Sequence, residues 1–286
     1  MTENLAGLEE LLSYDYSDQN EITEEMRQAS RQKRQELSCS IQGVEWFLSN
    51  VAKFTLPTTF IAAFQCFQFR LKYFPEEFMA NLELLTNLTK FLFGESVIQM
   101  TNDDIINELS KTQAYLAILV YPTIFPQLLA PLQSFPPKLK VKFVSQLCHV
   151  LILPTVKNVV YFQTVKKHLR ENQLQNALFE ILKEGIANQN ADALYGVAYL
   201  TRWIDDFSYL MDENFLNSFM DTSKDQIFSF PILELFSSIS QRGVVEEYRH
   251  PLLQNASIFQ RIIYYLQTFP DNFNLILACA NLFSTL

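Results

Sequence analysis

The sequence predicts an all-α protein built as a helical-repeat solenoid. Amphipathic segments of about 15 to 20 residues follow one another through the 286-residue chain, separated by proline, glycine, Asn or Asp. Strand signals are weak, because there is no Asn-Gly or Asp-Gly turn and no sustained alternation of apolar and polar residues. Apolar residues make up 49% of the chain, with 25 phenylalanines, which is ample surface to bury along a stack of helices.

The first 37 residues are polar and mostly acidic, and they predict a cap on the stack that follows. One helix is expected here, from about Glu21 to Leu37, with four basic residues on a solvated face. These residues are Arg27, Arg31, Lys33 and Arg34. Residues 38–286 then form the predicted repeat array, whose apolar spacing of three and four begins at Ile41 and ends at Phe54.

The next helices follow from proline positions and capping residues. Pro57 separates the first helix of the array from an apolar stripe that runs from Thr58 to Tyr73. Pro75 with two glutamates begins a helix that ends at Gly94, and Thr101 to Asp104 begins one that reaches about Tyr121. The remaining helices are predicted at about 123–134, 138–153, 155–171, 172–187, 190–211, 213–222, 227–242, 248–269 and 271–286.

Three glycines and the end of the sequence carry further expectations. Gly94, Gly185 and Gly243 lie near the ends of apolar-periodic runs, where a left-handed residue often closes a helix. The residues up to Leu286 stay apolar, whereas a finished solenoid ends in a polar cap. We therefore expect that the array is truncated there or that another chain covers that face.

Composition disfavours nucleotide-dependent enzymes and a secretory location. The six glycines form no G-x-G or G-x-x-x-x-G-K loop to hold phosphate. The four cysteines are far apart in sequence and predict buried, reduced thiols rather than disulfides or a metal site. They are Cys39, Cys66, Cys148 and Cys279. Because no apolar signal follows a basic N-terminus, we expect a reducing location in the nucleus or the cytoplasm.

An uncharged segment from Thr112 to Pro137 invites comparison with a membrane span. Its five prolines break it into pieces shorter than the roughly 20 residues that a spanning helix needs. We therefore expect a buried helix, a proline corner and a short second helix, with no membrane insertion.

Charge is distributed unevenly. The chain has a formal charge of −9, but the segment from Leu109 to Arg170 contains eight basic and no acidic residues. The other 14 basic and 31 acidic residues give −17. This basic segment is either solvated decoration of two or three helices or a stripe that binds phosphates, in which case Lys138, Lys140 and Lys142 are its first candidates.

Catalytic or metal-binding patterns are scarce. His149, next to Cys148, has no partner at metal-ligand spacing and is expected to be structural. The carboxylates of Asp205 and Asp206 could bind a cation or transfer protons, but such a pair more often ends a helix or meets a basic neighbour. We expect no catalytic residue, no metal and no cofactor.

Several segments resemble the exportin-t (tRNA exportin) family of the importin-β, or karyopherin, superfamily. The stretch 193–219, with its Trp203-Ile204-Asp205 cluster, is similar to a helix end and the following helix start in that family. Segment 60–73 is similar to an early Phe-rich helix. Segment 164–171 resembles a Lys-x-x-x-Arg run, and 232–244 a helix that closes in a basic residue and glycine. The resemblance covers most of residues 44–250 in the same order.

The resemblance implies a right-handed superhelical α-solenoid of HEAT-like antiparallel helix pairs, here the N-terminal part of a longer receptor. It implies a monomeric nuclear export receptor that binds tRNA cooperatively with Ran-GTP, passes nuclear pore proteins and shuttles between nucleus and cytoplasm. The positions that match the Ran-binding helices are Phe64, Gln65, Phe67, Gln68 and Lys111. Lys166, Lys167 and Arg170 match positions that face cargo or Ran, and with the three lysines of residues 138–142 they are our RNA-binding candidates.

Two alternatives remain open at this point. One is a related karyopherin with a protein or another RNA as cargo. The other is a HEAT-type scaffold without Ran or RNA, in which the basic segment is only solvated surface.

Overall fold

In a computed structural model the chain is helical, as the sequence predicts. The structure describes residues 5–16, 21–122, 129–153, 159–204, 226–242 and 256–285. Within these ranges every regular element is a helix or a 3₁₀ turn, and there is no strand. None of the helices in these ranges is long and apolar enough to cross a bilayer.

Six of the first eight helices begin at a proline or after a capping side chain. They are α1 (Leu5–Ser13), α2 (Glu24–Ser38), α3 (Ile41–Asn50), α4 (Pro57–Tyr73), α5 (Pro75–Ala80), α6 (Leu82–Leu92), α7 (Glu95–Ile98) and α8 (Asp103–Val120). Prolines 57 and 75 occupy the first turns of α4 and α5, where their missing N–H is not needed. The side chain of Asn102 accepts hydrogen bonds from the N–H groups of Asp104 and Ile105 and so caps α8.

Seven more helices follow. They are α9 (Pro137–Leu151), α10 (Val159–Glu171), α11 (Leu174–Ala187), α12 (Ala191–Thr201), α13 (Gln226–Arg242), α14 (Ala256–Thr268) and α15 (Phe273–Thr285). Of the helix predicted at 123–134, residues 123–128 lie outside the described residues and Pro131–Gln133 form a 3₁₀ turn. Three other predicted segments also lie outside the described residues. They are the helix at 213–222, the last part of the helix at 190–211 and the first part of the helix at 248–269.

The N-terminal segment contributes to the core as well as to the surface. A helix that the sequence reasoning missed, α1, buries Leu8 and Leu12 and packs against α2 and α4. Its Glu9 carboxylate accepts hydrogen bonds from the N–H groups of Thr55 (2.8 Å) and Leu56 (3.3 Å) just before α4. A buried carboxylate on these orphan donors stabilises the start of α4.

Two of the three predicted glycine closures are wrong, and the third is not tested. Gly94 has φ −75° and lies at the start of α7, and Gly185 is a buried residue inside α11; Gly243 is outside the described residues. Among the described residues, those with left-handed backbone are Gln173 (φ 54°) and Gln189 (φ 55°), which follow α10 and α11. The glutamine after α11 donates its N–H to Ile186 O and the next residue donates to Gly185 O, the Schellman pattern formed here without glycine.

The chain divides into two units by its contacts. The first contains Met1–Phe143 and Pro154–Val165, and the second contains Val144–Leu153 and Lys166–Leu286. In the first unit α4 packs against α2, α3 and α8, and α6 packs against α3 and α8. In the second unit α12 packs against α11 and α13, while α15 packs against α13 and α14.

Phenylalanines fill the core of the first unit. Phe47 and Phe67 are fully buried, and their rings meet edge to face with centroids 6.1 Å apart. Phe64 and Phe67 both lie against Phe91 of α6, at 6.2 and 6.3 Å. These rings join α3, α4 and α6.

Candidate interaction surfaces

Gln68 of α4 ties that helix to α8. Its amide nitrogen donates to the backbone oxygen of Glu108 (3.0 Å), to the carboxylate of the same residue (2.9 Å) and to the hydroxyl of Thr112 (3.1 Å). A single side chain therefore holds a carboxylate at the contact between two helices. Because Gln68 is only half-buried, part of its side chain remains open to solvent.

Gln65, one turn earlier on α4, is bonded to the N-terminal segment. Its amide oxygen accepts from the hydroxyl of Tyr16 at 2.7 Å and from the guanidinium of Arg34 at 3.3 Å. The same guanidinium donates to the phenol oxygen of Tyr16 and pairs with Asp15. These contacts fix the segment after α1 and the middle of α2 against α4.

Glu108 links these two groups electrostatically. Burial raises the pKa of Tyr16 to about 12, and the negative charge of Glu108 contributes to the same rise. The ammonium of Lys111 lies 2.8 Å from the Glu108 carboxylate, with a third of the lysine side chain exposed. We call Tyr16, Arg34, Gln65, Gln68, Glu108 and Lys111 the Glu108 cluster.

The five predicted Ran-binding residues thus separate into two classes. Gln65, Gln68 and Lys111 come together in the Glu108 cluster and keep part of their surface. Phe64 and Phe67 have no exposed surface and offer nothing to a partner, because their rings pack on α3 and α6. Both stripes share the three- and four-residue spacing of one helix, so the sequence alone could not separate them.

The predicted RNA-binding residues of α9 lie in the first unit. Lys138 is exposed and forms an ion pair with Asp103 in the first turn of α8. Lys140 and Lys142 are half-buried, so their aliphatic stems are partly covered. The structure therefore brings an acidic residue of α8 to the first of these three lysines.

The predicted RNA-binding residues of α10 lie in the second unit. The pKa of Lys166 is lowered by burial and then by the positive charge of Arg170, four residues later on the same helix. Arg170 also donates to the backbone oxygen of Trp203 just after α12. Lys167 points into solvent and is 3.8 Å from Glu171 on the same helix.

An aromatic row on α12 escaped the sequence reasoning. The rings of Tyr195 and Tyr199 stack with centroids 6.0 Å apart, and His149 of α9 stacks on Tyr199 at 4.4 Å. Arg202, at the end of α12, pairs with Glu234 of α13. The spacing of four residues between the two tyrosines was the available signal. His149 thus lies in a ring stack, and its structural role stays a prediction.

The remaining candidates are metal ligands, cysteines and a pair of aspartates. Among the residues that the structure describes, no three His, Cys, Asp or Glu side chains come together as metal ligands do. Cys66, Cys148 and Cys279 are buried as predicted, whereas Cys39 is exposed, and all four are free thiols. Burial raises the pKa of the Cys66 thiol to about 12, which disfavours its thiolate. Asp205 and Asp206 lie outside the described residues.

Comparison with known proteins adds no identification. No protein-family model matches the chain. No curated protein is significantly similar to it either.

Proposed function

We propose that this chain is a non-enzymatic binding protein: a nuclear export receptor that binds tRNA cooperatively with Ran-GTP. The observation that carries the proposal is the Glu108 cluster, in which three predicted Ran-contacting residues meet on two packed helices. The resemblance to the exportin-t family, stated above from sequence alone, supplies the identity of the partners.

The helix contacts support a solenoid as the underlying architecture. Antiparallel pairs that stack in register bring equivalent helices of successive pairs together. In the first unit α3 and α4 form one pair and α6 and α8 another, and α3 packs on α6 as α4 packs on α8. We infer a right-handed superhelical α-solenoid of HEAT-like pairs, with α4 and α8 as neighbouring inner helices.

The proposed mechanism is linkage between two ligands. If Ran-GTP and tRNA favour the same curvature of the solenoid, each raises the affinity for the other, and GTP hydrolysis on Ran releases the cargo. The receptor itself then needs no catalytic group. RNA would be held by its phosphates and shape, through Lys138, Lys140, Lys142, Lys166, Lys167 and Arg170.

The decisive experiment is co-precipitation of tRNA by the protein with and without Ran loaded with a non-hydrolysable GTP analogue. The proposal expects strong retention of tRNA only when loaded Ran is present. Changing Gln65, Gln68 and Lys111 to Ala should remove the effect of Ran. Retention of tRNA that ignores Ran would contradict the proposal.

A matched charge control tests the RNA-binding residues. Changing Lys166, Lys167 and Arg170 to Ala should weaken tRNA binding and reduce its salt dependence, by about 0.9 in log–log slope for each phosphate that is no longer neutralised. Changing Lys53, Lys90 and Lys183 to Ala removes the same charge from other parts of the chain and should change little. If the two triple variants weaken tRNA binding equally, the binding is diffuse electrostatic attraction and not contact with Lys166, Lys167 and Arg170.

Ion pairing within the chain favours a second candidate, a HEAT-type scaffold without Ran or RNA. Lys111, Lys138 and Lys167 each lie against a carboxylate of the chain itself, which neutralises part of the basic segment. On this alternative neither Ran nor tRNA is retained under any nucleotide condition. A related karyopherin with another cargo would retain loaded Ran and no tRNA.

A further inference from the structure

An open groove lies between α3 and α6, in the first unit. Its volume is about 420 Å³. Glu45 and Leu48 line it from α3, and Glu83, Asn87 and Phe91 line it from α6. None of these residues belongs to the Glu108 cluster, so the groove is a separate feature of the unit.

The apolar residues of the groove are packed on the core of the unit. The ring of Phe91 is stacked on Phe64 with centroids 6.2 Å apart and meets Phe67 edge to face at 6.3 Å. Leu84 is 6% exposed, and Leu48 is partly buried beside it in the lining. A surface anchored in this way is already in place to receive an apolar side chain.

The walls are acidic. Glu45 and Glu83 are both exposed, and within the described part of the chain neither carboxylate takes part in an ion pair. This contrasts with Glu77 and Glu108 of the same unit, which bind Arg70 and Lys111. The two carboxylates therefore place negative charge on the groove that no ion pair among the described residues offsets.

Two side-chain amides complete the lining. The Asn81 oxygen accepts the N–H of Leu84 at 3.1 Å as the N-cap of α6, which leaves the amide nitrogen of Asn81 to donate elsewhere. Asn87, on an exposed face of α6, offers both a donor and an acceptor. Groups of this kind suit the backbone of an extended peptide.

We propose that this groove binds a short basic peptide segment of a partner protein, in which an apolar side chain is flanked by Lys or Arg. The apolar side chain lies on Leu48, Leu84 and Phe91, and the flanking cations meet Glu45 and Glu83. Charge complementarity favours this occupant, because the whole chain carries −9 and neither groove carboxylate takes part in an ion pair among the described residues. The same carboxylates repel phosphates, so RNA and anionic lipid are disfavoured here.

The test measures fluorescence anisotropy of a labelled peptide of alternating Arg and Leu, titrated with the full chain. A peptide with Glu in place of Arg serves as the probe of charge sign and should not bind. The double variant Glu45→Gln and Glu83→Gln should raise the Kd of the basic peptide roughly five- to tenfold, since it removes both partners of the peptide cations.

Two further variants separate a built groove from diffuse attraction. Glu180→Gln with Glu184→Gln removes the same charge from exposed positions of α11 and should leave the Kd unchanged. Ser49→Trp fills the groove from α3 without a change in charge and should abolish binding. Each variant is first compared with the parent by circular dichroism and by its urea midpoint.

The proposal is overturned if the two double-glutamine variants weaken binding equally, if the acidic peptide binds as well as the basic one, or if Ser49→Trp leaves the Kd unchanged. These outcomes are independent of Ran and tRNA, because neither is present. If the groove does not bind the basic peptide, the export proposal is unaffected. If the export proposal fails, the proposal for the groove is unaffected.

Discussion

Helices α4 and α15 each bury one apolar stripe, but their opposite faces differ. α4 buries nine of its 17 residues, and Gln65 and Gln68 on its polar face are bonded to other segments. α15 buries Leu275, Cys279 and Leu282. Its opposite face carries Phe273, which is 72% exposed, with Ile276, Leu277 and Phe283 also exposed at helical spacing.

The contrast teaches that an apolar stripe predicts a helix better than it predicts burial. Both stripes of α15 are apolar at spacings of three and four, yet the described structure covers one of them. On α4 the second stripe is polar and is occupied by neighbouring side chains. A substitution should therefore be costly at the buried residues of α4 and at its bonded Gln65 and Gln68, and on one face of α15.

The largest expected effect compares two phenylalanines. Phe67→Ala on α4 should lower the free energy of unfolding by about 3–5 kcal/mol, because it leaves a cavity among packed rings. Phe273→Ala on α15 should change it by less than about 0.5 kcal/mol, because the side chain is already in water. Urea titration followed by circular dichroism measures both. Similar losses for the two variants would mean that the exposed face of α15 is covered in solution.

Glu9 tests the polar attachment of α4. Glu9→Ala should cost about 1–3 kcal/mol, since it leaves the N–H groups of Thr55 and Leu56 and the Thr55 hydroxyl without their acceptor. Glu10→Ala is the matched control, because Glu10 lies on the exposed face of α1 and its carboxylate accepts from Tyr14. The same urea titrations give the difference between the two variants. A loss of equal size for Glu10 would remove the special role of the buried carboxylate.

At alkaline pH, one tyrosine in each of the two units should lower the stability of the fold in the same way. Burial raises the pKa of Tyr16 and of Tyr265 on α14 to about 12, above the ordinary value of 10.0. The folded state therefore holds each phenol proton more tightly than the unfolded chain does, and this stability is present below about pH 10 and is lost as pH rises toward 12. Tyr16→Phe or Tyr265→Phe should flatten the fall of the urea midpoint over that range. An unchanged slope in both variants would contradict these shifts.

The smallest effect on stability is expected from a substitution on the exposed face of α15. Leu277→Lys should leave the urea midpoint nearly unchanged while it reduces binding of a hydrophobic dye, because it interrupts an exposed apolar stripe. Leu275→Lys, two residues away and fully buried, should unfold the hairpin of α14 and α15. A large loss of stability from Leu277→Lys would show that this stripe is also packed.

Sequence reasoning placed most helices because their signals are local. Pro57, Pro75 and Asn102 act within one turn of their own position, so the starts of α4, α5 and α8 could be read directly. It failed where tertiary contacts compete with local preference. Gln173 and Gln189 adopt left-handed backbone that glycine would favour, and α1 lies in a segment whose composition predicted only a polar cap.

The same division applies to the candidate surfaces. The sequence singled out Gln65, Gln68 and Lys111, but it grouped them with Phe64 and Phe67, which are in the core. It could not find Tyr16, Arg34 or Glu108, since they come from three different segments and meet only through packing. Nor could it assign Lys138 to Asp103, a partner 35 residues away.

By itself the sequence determined that the chain is helical, where most helices begin and which residues carry charge, because hydrophobic period, proline geometry and capping act over a few residues. Only the tertiary structure decided which phenylalanines are core, which cations already have partners and which grooves stay open. Those outcomes depend on distances between side chains far apart in the chain, and burial and ion pairing are set by those distances.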